Sequence, residues 1–473
     1  MTTDQYLSSD DIRHMFSQEM SYIYQKEVPL YSNLLSLVAA TNKSVTANDP
    51  ALEARLKATG QIERLNCERH GAIRLGTADE IRTMARFLNV MGMRSVGYYD
   101  LSQAGLPVHA TCFRCLDLSS LEKNPFRLFV SLLRPDLISP SIRSKVYDIL
   151  SRRHIFHPHV LELISIAEET NNQLTPSQAS EFVTYGLETF KWRQTANVTF
   201  DEYSELYSEN PLLADVAGFE GPHINHLTPR TLDIDAIQAA MVAQDIPTKD
   251  TIEGPPRRQC PILLRQTSFK ALEEAVYFPP SISSSFSENA ILGSHRARFG
   301  EIEERGIALT PNGRALYDRL IQKAIAARIT PQNTREYAAI FSEFPDDWNE
   351  IRKAGLAWFE YYVADPAELR AVLQDAACSC EPRGRSIEDL IELDAIRFKP
   401  LIYEDFLPLS AAGIFQSNLG GPSKTVVGAH AEKKVDGRRQ LQMALQTDIV
   451  NEMDVYKRLQ EESLETCRKY FAL

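Results

Sequence analysis

Gly221-Pro-His223-Ile-Asn-His226-Leu-Thr-Pro229-Arg-Thr-Leu-Asp233-Ile-Asp235 places two of the chain's ten histidines three residues apart and between two prolines. On a helix both imidazoles would share one face and could grip a metal together. On an extended chain they point to opposite faces, and only one can serve a site. Pro222 and Pro229 push the residues before them towards extended conformations, so the stretch reads as a strand entering a loop, with a helix beginning near Asp235. The plain alternative is a pair of surface or packing histidines. The rest of the chain must decide.

Upstream, the run Ile62 to Gly76 shortens into a strand, and Thr77-Ala-Asp-Glu80 is a capping box that opens a helix stopped by Gly92. Strands are expected at Ser95 to Leu101, Pro107 to Leu116 and Phe126 to Leu133, which gives the order βαβββ. Downstream of His226 the order returns: a helix from Asp235 to Ala243, a strand from Pro261 to Ser268, a strand from Arg296 to Glu304, and a helix from Asn312 to Arg328. Between the two modules, Ser139-Pro140 and Thr175-Pro176 are helix starts. Two helices broken at Pro29, the first capped by Ser9 or Asp10, precede the first module. Helices are expected on to about Ala377, with Trp348 and Trp358 as core anchors, before a β-like stretch from Ile396 to Ser410 and a helical C-terminus from Arg438. The fold class is therefore α/β (α+β), with a duplicated module and helical insertions.

The chemistry lies in three short segments. If His70-Gly-Ala-Ile-Arg74 is a strand, His70, Ala72 and Arg74 share a face whose ends are about 13 Å apart, and the small Ala72 leaves a slot between imidazole and guanidinium. A metal on the histidine and a carboxylate on the arginine would fit it. In Gly300-Glu301-Ile-Glu303, the two carboxylates share a strand face, and Gly300 permits close approach of another backbone. A solvated acidic edge strand would look the same. Two histidines and one carboxylate from separated strands are the facial set of non-haem iron enzymes, which leaves coordination positions for substrate and dioxygen. Geometry does not choose between Glu301 and Glu303. His154, His157 and His159 form the densest histidine cluster, yet they read as first-turn surface residues. Cys112 and Cys115 have zinc-like spacing without a matching second pair, and read as thiols in or beside a strand.

Composition narrows the classes. The chain has 473 residues, 44% of them hydrophobic, enough for more than one core. A net charge of −12 with no long basic run argues against nucleic acid as a partner. No apolar run approaches the roughly 20 residues of a membrane helix. The first residues, Met1-Thr-Thr-Asp-Gln, lack the pattern of a signal peptide, and seven scattered cysteines suit reduced thiols, so the expected location is cytoplasmic.

Taken together, His70-Gly-Ala-Ile-Arg74, Gly221 to Asp233, Ile262-Leu-Leu-Arg-Gln-Thr-Ser-Phe-Lys-Ala, Gly300-Glu301-Ile-Glu and Tyr403 to Asn418 resemble the 2-oxoadipate dioxygenase/decarboxylase family, the 2-hydroxyglutarate synthases of lysine degradation. The resemblance spans nearly the whole chain. It implies a vicinal-oxygen-chelate-like core of two βαβββ-type modules around one Fe(II), with the metal on His70, His226 and Glu301. It further implies that Arg74 holds the distal carboxylate of a 2-oxo dicarboxylic acid, with Leu409 and Ser410 touching the substrate. Leu409 stands where the family carries valine, a departure that could alter chain-length preference. The implied reaction consumes 2-oxoadipate and O2 and yields 2-hydroxyglutarate and CO2. Rival readings are a glyoxalase-like isomerase of the same fold and a non-catalytic metal-stabilised binding protein. The expected organisation is N-terminal helices over 1–60, a first module over 61–138, a helical insertion over 139–212 and a second module over 213–330. A helical segment over 331–395, a core strand with substrate loop over 396–420 and a helical segment over 421–473 complete it.

Overall fold

The computed structural model describes residues 6–58, 60–271, 273–281, 290–296, 298–365, 385–407 and 436–472. They form a mixed α/β protein of two units. One comprises 1–252, 266–304 and 405–450, the other 253–265, 305–404 and 451–473.

The first unit is built on the strands β1 (Arg69–Leu75), β2 (Arg94–Asp100), β3 (Val108–Arg114), β4 (Arg127–Leu133) and β5 (Leu227–Pro229), which lie in the order β2-β3-β4-β1-β5. β1 is parallel to β4 and antiparallel to β5, and His70 stands opposite Arg127 on one side and Thr228 on the other. The expected βαβββ order is present, with the helix Ala78–Val90 capped by the Thr77–Glu80 box. Gly92, at φ +71°, turns the chain after that helix in a conformation glycine adopts without strain.

Strand alternation divides the interior in two. Ile73, Leu75, Leu128, Val130 and Leu132 join one apolar cluster with Phe16, Met20, Phe87 and Phe182 from the helices. Ala72, Val108, Ala110, Phe129 and Leu133 join a second, with Leu206, Leu212, Leu213 and Phe406. His70 and Arg74 lie in register with Ala72, on the same face.

A second module follows β5. The helix Ile234–Ala243 leads to β6 (Leu264–Ser268), β7 (Glu274–Phe278), β8 (Ile291–His295) and β9 (Glu301–Arg305). Arg230 bridges Glu303 in parallel, as β1 pairs with β4 in the first module. The strand expected over 296–304 is the shorter β9, and the hairpin of β7 with β8 was not expected.

Several boundaries differ from expectation for local reasons. Residues Gln61–Cys67 are a helix before β1, supported by an Arg64–Glu68 ion pair one turn apart. Ser8 caps the first helix, in a capping box with Asp11, in place of Ser9 or Asp10. In the second unit, β10 (Phe359–Val363) interrupts the region expected to be helical and pairs with β11 (Ile396–Pro400), where the β-like stretch ends. The helix Glu452–Phe471 covers this pair: Gln460 and Ser463 accept the N–H groups of Phe359 and Tyr361. Trp348 and Trp358 are half-buried, so the anchor of this region is the buried Phe359.

Gly300 permits the close approach expected of it, by a ring as well as by a neighbouring backbone. A Cβ there would fall on the ring of the buried Phe269, whose N–H donates to the Gly300 carbonyl. Gly300→Ala is therefore expected to cost about 1–3 kcal/mol by overpacking. A lower thermal unfolding midpoint with intact far-UV dichroism is the expected result. An unchanged midpoint would show that Phe269 moves aside freely.

Candidate metal centre

His70, on β1, is buried between two carboxylates of β9. Its Nε2 lies 2.9 Å from Oε1 of Glu301, and its Nδ1 lies 3.0 Å from Oε2 of Glu303. Burial works against the imidazolium, but Glu303 and Glu301 outweigh it and raise the pKa above the usual histidine value. His226 reaches the same point from the residue before β5, its Nδ1 3.7 Å from Glu301 Oε1. Burial drives its pKa down to about 4, so this imidazole is neutral at neutral pH.

Hydrogen bonding also fixes the tautomer. Thr228 donates its single hydroxyl proton to Glu301 Oε1 at 2.9 Å. The His226 Nδ1, 2.9 Å from that hydroxyl, must then be the donor to it, which leaves the Nε2 lone pair exposed. On His70, Glu303 takes Nδ1 and leaves Nε2 to the site. Carboxylate-held imidazoles of this kind are the usual outer support of metal ligands.

Among the described residues, two groups bring ligand atoms within 4.8 Å of one another: His70–His226–Glu301 and Asp215–His223–His295, all buried. Charge compensation separates them. Asp215 Oδ2 is taken by Arg74 Nη1 at 2.5 Å, and Oδ1 faces His295 Nε2 at 2.8 Å and His223 Nε2 at 3.3 Å. Burial opposes its charge, yet Arg74 and the two histidines hold its pKa well below the usual carboxylate range. Glu301 is different. Among the described residues its ion pairs are with the histidines alone, and its Oε2 is buried without a hydrogen-bond partner. A buried carboxylate oxygen without a donor is an unfilled place for a cation. The first group fits a divalent metal; the second already has its cation in Arg74.

The structure thus brings together His70, His226 and Glu301, and pairs Arg74, from the same face of β1, with Asp215 in the other group. His223 and His226 diverge as extended chain requires, although the residues between them are irregular and regular pairing begins only at Leu227. Leu409 and Ser410 lie outside the described residues. His159 is half-buried and faces Glu162 and Glu181, in keeping with a surface role. Cys112 and Cys115 are buried, the first in β3 and the second just after it. Sequence reasoning missed Asp215 and His295. One signal was available: Asp215 is the lone charge in the apolar helix Pro211–Ala217, Pro-Leu-Leu-Ala-Asp-Val-Ala.

Known proteins resemble the chain over most of its length. The sequence profile of the 2-oxoadipate dioxygenase/decarboxylase family matches residues 16–418. The chain is 47% identical to the 2-oxoadipate dioxygenase/decarboxylase of Pseudomonas putida, over 99% of this chain and 98% of that protein. It is 34% identical to the protein of the same name from Mycobacterium bovis, over 90% of this chain and 91% of the other. The crystal structure of the Pseudomonas putida hydroxyglutarate synthase in complex with 2-oxoadipate superposes over 100% of both chains, with a TM-score of 0.87 and 45% identity.

Proposed function

Because the chain belongs to the 2-oxoadipate dioxygenase/decarboxylase family, we propose that it converts 2-oxoadipate and O2 into 2-hydroxyglutarate and CO2 at an Fe(II) centre held by His70, His226 and Glu301. The observation that carries this reading is the convergence of those three buried residues, with the second oxygen of Glu301, Oε2, buried and without a hydrogen-bond partner among the described residues. When bound, Fe(II) in such a facial set offers open positions to a 2-oxo acid and to dioxygen, and supplies the redox chemistry of oxidative decarboxylation. The two atoms of O2 enter one product, so no second organic substrate is required.

The chain's own residues bind and orient. Glu303 aims the His70 imidazole, and Thr228 aims that of His226. The rings of Phe406 and Phe299 pack on these histidines at centroid distances of 4.8 Å and help keep water from the site. Arg74 receives the distal carboxylate in a charge-assisted contact, which fixes the far end of the substrate while the near end reacts. Leu409 and Ser410 complete the substrate contacts in this reading. The scattered cysteines accord with a cytoplasmic setting. The direct test is oxygen uptake by the iron-loaded protein with 2-oxoadipate, expected at one O2 consumed per CO2 released. Turnover without oxygen uptake would favour an isomerase.

Three substitutions probe the assignments. His226→Ala should lose bound iron and activity while His223→Ala retains iron; equal loss would mean that both imidazoles ligate. Glu301→Ala should abolish iron retention, whereas Glu303→Ala should keep part of it, and the reverse result would move the ligand along β9. Arg74→Ala should lower kcat/KM for 2-oxoadipate by about 30- to 1000-fold, the equivalent of roughly 2–4 kcal/mol. A monocarboxylic 2-oxo acid should lose little, with iron content unaltered. Equal loss on both substrates would make Arg74 a structural residue.

A further inference from the structure

Arg74 does not stand alone at its end of the site. Its Nη1 donates to Asp215 Oδ2, and the other oxygen of that carboxylate faces the Nε2 atoms of His295 and His223. His295 is held in turn: its Nδ1 is 2.6 Å from the hydroxyl of Tyr203. These groups come from separate elements. Arg74 is on β1, Tyr203 on the helix Phe200–Glu209, Asp215 on the helix Pro211–Ala217 and His295 on β8. All five side chains are buried. A carboxylate held at both oxygens from several directions is restrained from rotating, so the guanidinium nitrogen bonded to it is anchored at that point.

We propose that Asp215 is a positioning residue that sets the specificity of the site for dicarboxylic 2-oxo acids, with His223, His295 and Tyr203 as its supports. The inference rests on the reading of Arg74 as the acceptor of the distal carboxylate. An unrestrained arginine side chain has many rotamers, and ordering it on binding lowers affinity. Here the ordering is completed within the free protein. The two histidines also share the negative charge of Asp215, which leaves more of the arginine's field for a second anion. The donor chemistry matches that of a second metal site, but an arginine already paired with the acid favours the positioning role.

The test uses the full-length, iron-loaded protein with 2-oxoadipate and with 2-oxohexanoate, which lacks the distal carboxylate. Asp215→Asn is expected to lower the ratio of kcat/KM for the two by about 10- to 100-fold, the effect of a displaced binding group, and mainly through KM for 2-oxoadipate. Iron should remain at one per chain. Tyr203→Phe, which removes only the hydroxyl behind His295, should shift the ratio in the same direction by a smaller factor and serves if Asp215→Asn does not fold. Equal losses on both substrates, or an unaltered ratio in Tyr203→Phe and Asp215→Asn alike, would overturn the proposal. So would two metals per native chain falling to one in Asp215→Asn. If Arg74→Ala itself leaves the ratio unaltered, the fault lies in the reading of Arg74; if Arg74→Ala lowers it and Asp215→Asn does not, the fault lies here.

Discussion

Glu301 and Glu303 are two buried carboxylates on one face of one strand, and the interior around them is arranged to compensate that charge. An unpaired buried carboxylate costs several kcal/mol, so each needs a cation. Glu303 has His70 and, at 3.5 Å, Arg127. Arg127 also binds Glu68, which collects Arg64 and Arg230 as well. The chain of alternating charges ends at Glu301, whose partners are imidazoles that can give up their protons to a metal. Register makes this possible: with His70 opposite Arg127 on β4 and Thr228 on β5, the strand pairing delivers the outer support on either side of one ligand.

The same logic explains why two sets of similar donors have different uses. His70–His226–Glu301 and His223–His295–Asp215 are each two imidazoles and a carboxylate. What distinguishes them is a single arginine. Arg74 neutralises Asp215, and no arginine or lysine among the described residues pairs with Glu301. Ligand identity is thus a poor guide to metal occupancy unless the charge balance of the neighbours is counted.

Local patterns were the legible part of the sequence. The capping box at Thr77, the helix break at Pro29 and the alternation through His70, Ala72 and Arg74 depend on a few adjacent residues, and they appear in the fold. The divergence of His223 and His226 followed from the prolines that flank them. The missed features depend on pairing at long range. β7 is only five residues long and exposed on one face, and its pairing is with β8 further along the chain, while Gly300 meets a ring from thirty-one residues earlier in the chain. Asp215 and His295, eighty residues apart, share a hydrogen bond that neither segment announces. Nor did the sequence reveal the Glu68 network, since its arginines come from three separate stretches.

The short segment from His223 to His226 has a consequence for how such a site can change. Its ends enter the two clusters, and its middle is tied down: Asn225 donates to the Ala72 carbonyl, and its own carbonyl accepts from Tyr24 and Phe299. On β1, His70 and Arg74 span the same two clusters over four residues of paired strand. Two stretches of backbone therefore act as paired rulers between the His70–His226–Glu301 group and the Arg74–Asp215 group. Side chains can trim the cavity at its walls, but the span itself is written in peptide bonds. A relative that handled a much longer diacid would need an inserted residue or a relocated arginine, a step that point substitution alone does not supply.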